Sequence, residues 1–347
     1  MITLSASTDD ERSLPTAVVE WLSINREPAL VVLAMALLLA AAGVFVYGPF
    51  PFLYELFWSG ACGATGSFLF CSGLLQNGFT AGILIGIAAP LVGTYLVNRQ
   101  MALVGEALAH TAFGGVAIGL FIGATVGSIE IAGATIPLDF PLLWALLVAT
   151  ASALGLQYLA VTSDEYADVP LAVVLTGGFA VGVAVISFGD AIVFGREVEG
   201  FLFGNILFVP FENVQLMVGL ALLTLGLVGL THKQLLFITF DREAARLARI
   251  HVRFYDTLLI IITALVVVAA MQILGAILVA AMLVVPVAAA MQVTTSFNRG
   301  LLLAVGIGEI AVVGGLVLSY RLDIAAGAAI VLVAIAFYLL AVFSKKL

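Results

Sequence analysis

Long apolar runs separated by short polar segments dominate this chain of 347 residues. A helix of about 20 apolar residues is long enough to cross the hydrocarbon core of a bilayer. Ten runs approach that length, near residues 29–50, 77–97, 102–124, 140–161, 169–189, 212–231, 255–271, 272–293, 300–319 and 323–344. The pattern predicts an all-α, polytopic integral membrane helical bundle with about ten membrane segments.

Three stretches depart from that simple pattern. Residues 1–28 are polar, and we expect a cytoplasmic or interfacial leader, because the first apolar run begins too far along the chain for a signal peptide. Residues 51–76 are apolar but are interrupted by glycine and serine, which favours a re-entrant or interfacial piece. The runs 255–271 and 272–293 touch, so the turn between them must be tight.

Composition supports the membrane prediction. The chain is 63% hydrophobic with a mean hydropathy of +1.23, and 10% of its residues are charged, whereas soluble domains carry about 25%. The net charge of −8 argues against a nucleic-acid partner. The two cysteines, Cys62 and Cys71, fall in a segment that we place outside. They form either a disulfide or two small buried thiols.

The basic residues indicate an orientation. With the N-terminus inside and the segments alternating, the inner segments hold eleven of the thirteen lysines and arginines, and the outer segments hold two. The inner set is Arg12, Arg26, Arg99, Lys233, Arg242, Arg246, Arg249, Arg253, Arg299, Lys345 and Lys346; the outer set is Arg196 and Arg321. By the positive-inside rule this predicts a multi-pass protein of the cell membrane with both termini cytoplasmic.

Glu106 and His110 stand four residues apart inside the apolar run 102–124. On a helix they project from one face, one turn apart. A carboxylate and a neutral imidazole at that spacing can share a divalent first-row metal, and two copies of the pair in a symmetric dimer would supply four ligands. The alternative is a hydrogen-bonded pair that ties helices together. Glu309 is a lone carboxylate, for which we expect a helix-packing or cavity-lining role.

Residues 232–254 form the longest predicted cytoplasmic loop and hold five basic residues. Leu236, Phe240, Ala244 and Leu247 recur at helical spacing, which predicts a short amphipathic helix. Such a helix docks in a groove of a soluble partner or lies on lipid headgroups. The sequence has no Gly-x-x-x-x-Gly-Lys-Ser/Thr phosphate loop. An ATPase that drives this protein would therefore be a separate chain.

These pieces together resemble the membrane permease subunit of ATP-binding-cassette importers for zinc, manganese and iron. Residues 99–119 are similar to the family pattern Arg-x-Met-x-x-x-Gly-Asp-x-x-x-His, and residues 232–245 to its coupling segment with Phe-Asp-x-Glu-x-Ala. Residues 275–290 and 316–339, the latter with Leu-Ser-Tyr-x-Leu-Asp, add further similarity. The resemblance makes residues 75–344 the permease domain and residues 29–50 an additional N-terminal transmembrane helix.

The resemblance also implies partners and site residues. It implies a homodimer in membrane lipid, an ATPase subunit on the cytoplasmic side, an extracellular metal-binding protein, and no permanently bound cofactor. The transported ion would be zinc or manganese, with iron also in the family's range. Metal-coordinating residues carry over to Glu106 and His110, with Glu in place of the family's Asp. The residues that carry over to ATPase coupling are Leu236, Phe240, Asp241, Glu243 and Ala244.

Two other functions fit parts of the pattern. An ion-coupled secondary transporter would use Glu106 and Glu309 as a proton or sodium relay and would need no ATPase. A permease for a siderophore or cobalamin chelate would have a wider path and would not need a Glu–His ligand pair.

Overall fold

The structure, a computed structural model, describes residues 26–66, 71–126, 128–131, 134–137, 141–162, 168–188, 200–202, 204 and 209–344. Most of the predicted leader lies outside the described residues, as do Arg12, Arg196, Lys345 and Lys346. Within the described ranges the chain is helical apart from turns and one β-hairpin.

The elements follow one another in this order: α1 (Arg26–Tyr47), α2 (Pro49–Thr65), α3 (Gly73–Asn98), α4 (Ala102–Val126), β1 (Ser128–Ile131), β2 (Ala134–Pro137), α5 (Pro141–Thr162), α6 (Asp168–Phe188), α7 (Phe211–Phe240), α8 (Arg242–Leu247), α9 (Val252–Leu274), α10 (Ala276–Val293), α11 (Phe297–Leu322) and α12 (Ala326–Ser344). The strands β1 and β2 pair antiparallel, from Ser128 opposite Pro137 to Ile131 opposite Ala134. This hairpin was not predicted from the sequence.

The predicted membrane bundle is confirmed. Among the described residues, nine helices are long and apolar enough to cross a bilayer. They are α1, α3, α4, α5, α6, α7, α9, α11 and α12. The tenth predicted segment is α10, whose 18 residues extend about 27 Å at 1.5 Å per residue.

Two joins in the bundle are very short. A single residue, Gly275, separates α9 from α10. Its φ of 84° is a backbone conformation that residues other than glycine rarely adopt. The tight turn expected there is therefore present, a few residues after the predicted boundary. Three residues join α3 to α4, with Gln100 at φ 60° and the amide of Met101 donating to the carbonyl of Leu96 at 2.8 Å.

The helices approach closely at small residues. A Cβ added to Gly93 of α3 would lie 1.9 Å from the carbonyl oxygen of Leu283 on α10. A Cβ at Gly308 of α11 would lie 2.7 Å from the carbonyl oxygen of Gly86 on α3. Lipid tails are as apolar as the side chains, so close van der Waals packing of this kind holds membrane helices together.

Residues 51–65 of the segment 51–76 lie in α2, and residues 73–76 begin α3. Helix α2 packs at one end of the bundle, here called the Asn77 end. The hydroxyl of Tyr54 donates to Oδ1 of Asn77 at 2.6 Å, and Nδ2 of Asn77 donates to the carbonyl of Val209 at 2.9 Å. A disulfide between Cys62 and Cys71 ties the end of α2 to the residues that lead into α3. Of the two alternatives left open for the cysteines, the structure contains the disulfide.

The contact between α3 and α10 gives a stability prediction. Gly93→Ala should lower the thermal unfolding temperature of the purified protein, because the added methyl meets a backbone oxygen that cannot rotate away. Overpacking of this kind costs about 1–3 kcal/mol. The matched control is Gly229→Ala on α7, where a Cβ would have open space. Equal unfolding temperatures for the two variants would contradict the packing described here.

Candidate functional site

Glu106 and His110 lie on α4, which is held between α5 and α6. Gly115 of α4 contacts Ala145 of α5, and Gly114 contacts the backbone of Gly178 on α6. Between Glu106 and His110, the residues Ala107, Leu108 and Ala109 are fully buried (0% exposed). Along the first turns of α4, Leu103 is exposed and Glu106 and His110 are partly exposed. The predicted pair thus lies on the face of α4 that the rest of the chain leaves partly open.

His110 has an unused nitrogen. Its Nδ1 atom is buried and has no hydrogen-bond partner among the described residues. The imidazole stands edge-on to the ring of Phe179 on α6, with the ring centroids 5.3 Å apart and the planes at 89°. A buried polar atom without a partner is costly. The arrangement leaves one imidazole nitrogen without a hydrogen-bond partner on a side chain that is itself partly exposed.

One chain supplies two candidate ligands at this position. Within the described part of the chain, no group of three or more His, Cys, Asp or Glu side chains could hold a metal ion. Glu309 on α11 is therefore not part of a cluster with Glu106 and His110. A Cβ at Gly86 of α3 would lie 2.7 Å from Oε1 of Glu309, which is buried and lacks a hydrogen-bond partner in the described residues. The structure thus places Glu309 at the contact between α3 and α11.

The segment 232–254 differs from its expected form. Helix α7 continues to Phe240 and is 30 residues long, so Leu236 and Phe240 lie on its last two turns rather than on a separate amphipathic helix. Asp241 ends α7 in an extended conformation and caps α8, where the amide of Ala244 donates to its Oδ1 at 2.8 Å. The cap at Asp241 therefore divides the predicted amphipathic helix between the end of α7 and the start of α8.

The predicted coupling residues nevertheless surround one exposed turn. Phe240 is 67% exposed, and its ring contacts that of Phe297 with the centroids 5.9 Å apart. Asp241 and Glu243 are exposed, while Leu236 and Ala244 are partly buried. An exposed aromatic ring at the end of a helix is a surface that a soluble protein can cover.

Sequence reasoning missed a charged cluster at this end of the bundle, here called the Arg99 end. Arg99 and Asp256 form an ion pair of 2.9 Å, with their side chains 9% and 10% exposed, and Arg242 also pairs with Asp256. Burial lowers the pKa of the Arg99 guanidinium, and the charge of Asp256 opposes that change. The signal was Asp256, a carboxylate one residue inside the predicted span 255–271.

The described residues form a helical membrane bundle with a Glu–His pair one turn apart inside one span, and the sequence has no phosphate-binding loop. The chain belongs to the ABC 3 transport family, whose model matches residues 72–345. It is thus the membrane permease subunit of an ATP-binding-cassette importer, in which a separate subunit hydrolyses ATP.

Named relatives agree with that family. The chain is 32% identical over 284 residues to the manganese transport system membrane protein MntC of Listeria innocua, covering 80% of this chain and 95% of the relative. It is 32% identical over 271 residues to the manganese import system permease protein ScaB of Streptococcus gordonii, covering 78% and 90%. The structure of PsaBC from Streptococcus pneumoniae in complex with Fab matches with a TM-score of 0.68 at 30% identity, covering 79% of this chain and 92% of that chain.

Proposed function

We propose that this protein imports a divalent transition metal, with manganese as the first candidate, along a path lined by Glu106 and His110. The observation that carries the proposal is the buried, unpartnered Nδ1 of His110 one helical turn from a carboxylate. The names of the relatives, which are manganese import permeases, support manganese as the ion. A mixed imidazole and carboxylate set suits first-row metals including manganese and zinc.

Two copies of the chain would complete the site. A two-fold axis beside the open face of α4 would bring two Glu106–His110 pairs together and give four protein ligands. The partial exposure of both side chains in the single chain supports a homodimer arranged in this way. The metal ion is the transported substrate and has to be released. Because its ligands would come from two subunits, a movement of the subunits away from each other would release it.

The exposed turn between α7 and α8 is the proposed docking surface for the ATPase. Phe240 would enter an apolar groove of that subunit, while Asp241 holds α8 in place through its capping hydrogen bond. The Arg99 end would then face the cytoplasm and the Asn77 end would face outward. A metal-binding protein would deliver the ion at the outward end.

The position of Glu309 weighs against an ion-coupled secondary transporter. That alternative needs Glu106 and Glu309 to exchange a proton or sodium ion, yet the two carboxylates do not share a cluster in the described residues. A chelate permease would not require a metal ligand in the path, so that alternative does not explain the unpartnered nitrogen of His110.

The metal site predicts the outcome of three substitutions. His110→Ala and Glu106→Gln should each lower manganese uptake more than about tenfold, since each removes a ligand. Glu106→Asp should keep uptake, because the carboxylate remains. The measurement is radioactive manganese uptake into vesicles that contain the partner ATPase, with zinc as a competitor.

The control for that experiment is the amount of each variant that purifies with the ATPase. All three variants should purify in wild-type amounts with the ATPase, because both side chains are partly exposed and neither makes a hydrogen bond in the described structure. Wild-type uptake by the His110→Ala, Glu106→Gln double variant would contradict the metal site and favour a helix-packing role for the pair.

The docking surface predicts that Phe240→Asp separates the permease from its ATPase. A charge placed in an apolar groove costs several kcal/mol unless it is paired. Co-purification of the ATPase and metal uptake should both be lost, while membrane insertion persists because Phe240 is 67% exposed. Phe240→Leu, which keeps an apolar side chain, should retain both. Full ATPase binding by the aspartate variant would remove the proposed role.

The orientation of the ends can be read by cysteine labelling. The native cysteines are joined in a disulfide, so an introduced cysteine is the reactive one. In intact cells a membrane-impermeant maleimide should label Leu322→Cys at the end of α11 and should label Leu247→Cys on α8 after permeabilisation only. Both positions are exposed, at 60% and 85%. The reverse pattern would place the Arg99 end outside.

A further inference from the structure

We propose that Arg99, held by Asp256, positions the start of α4 relative to the ATPase docking turn and so transmits ATP-driven movement to Glu106 and His110. The inference rests on the proposed function, since it assumes that the turn between α7 and α8 receives the ATPase. It adds to that function a physical connection between the docking turn and the metal ligands.

The first part of the connection is the turn between α3 and α4. Arg99 is the first residue after α3, and α4 begins three residues later at Ala102. The amides of Arg99 and Met101 donate back to carbonyls in the last turn of α3, and Gln100 takes a left-handed conformation. A turn so short and so fully hydrogen-bonded moves as one piece with the first residues of α4. Glu106 lies only seven residues after Arg99 in the chain.

The second part is the guanidinium of Arg99, which contacts two other helices. Its Nε donates to Oγ1 of Thr239 at 2.9 Å, and Nη2 donates to the carbonyl of Leu235 at 3.1 Å, both on the last turns of α7. Nη1 donates to Oδ1 of Asp256 on α9 at 2.9 Å. One planar cation therefore links the α3–α4 turn to the helix that ends at Phe240.

The third part connects α8. Oδ2 of Asp256 accepts from Arg242, the first residue of α8, while Oδ1 accepts from Arg99. Arg242 is largely exposed and Asp256 is nearly buried. A movement of α8 would thus displace the same carboxylate that accepts a hydrogen bond from Arg99.

The chemistry favours a positioning role over simple charge balance. A buried ion pair contributes little net stability, because desolvation offsets the attraction, but the hydrogen bonds of its donors hold its geometry. Three nitrogens of Arg99 have acceptors on α7 or α9. A lysine would keep the charge beside Asp256 and lose the planar fork that reaches both helices at once.

The test measures metal transported per ATP hydrolysed in vesicles that contain the permease and its ATPase. Arg99→Lys and Asp256→Asn should each lower that ratio about fivefold or more, while ATP hydrolysis continues, because the link and not the ATPase is altered. Arg299→Gln removes an exposed arginine at the same end of the bundle and should leave the ratio unchanged. Thr239→Val, which removes one acceptor and keeps the side-chain shape, should lower the ratio about twofold.

A second readout separates positioning from stability. A fluorophore on Leu103→Cys, in the first turn of α4 on the face beside the proposed two-fold axis, should change its signal on ATP binding in the otherwise unaltered protein and fail to do so with Arg99→Lys. A purely structural role would lower complex yield and ATP hydrolysis together and would leave the signal change in the surviving complex.

The outcomes distinguish this inference from the function on which it rests. Wild-type ratios for Arg99→Lys and Thr239→Val, with metal uptake intact in the unsubstituted protein, would overturn the inference alone. Absence of ATP-dependent metal uptake by the unsubstituted protein with its ATPase would overturn the proposed function as well. If Asp256→Asn fails to assemble, Thr239→Val still decides the matter, because it leaves the ion pair in place.

Discussion

The hydrocarbon core of the membrane constrains every level of this structure. No water is present there to satisfy backbone groups, so the chain crosses as helices whose hydrogen bonds are internal. Apolar burial cannot draw these helices together, and they associate where small residues admit a neighbour, as Gly93 does for α10. The same constraint makes polar side chains within the spans few and expensive, which is why Glu106 and His110 stand out.

The membrane helices could be predicted because that constraint acts on each one separately. A span needs about 20 apolar residues whatever its neighbours are, and each of the ten predicted runs overlaps a membrane helix over most of its length. The end of α7 could not be predicted by this rule. Its last turns extend beyond the apolar run and carry the polar residues His232 and Lys233. Such polarity predicts a loop, whereas the helix continues to Phe240.

The candidate site was predictable in part, for the same kind of reason. The spacing of Glu106 and His110 places them on one face of any helix, and no tertiary information is needed. The pairing of Cys62 with Cys71 and the position of Glu309 against Gly86 depend on how separate elements meet. The cluster of Arg99, Asp256 and Arg242 depends on tertiary structure still more, because its members come from three segments that a linear pattern treats independently.

An importer must bind its metal tightly enough to select it and must also release it, so the geometry of the ligands has to change during transport. The two proposed ligands lie on a single helix, which fixes the spacing of their backbones. The variable is therefore the position of α4 as a body, and α4 is joined to α3 by three residues and packed against α5 and α6 through glycine contacts. Among these connections, the turn at Arg99 is linked by side-chain hydrogen bonds to α7 and α9, and through Asp256 to Arg242 on α8. The arginine that contacts both α7 and α9 would thus connect the proposed metal ligands to the proposed ATPase docking turn.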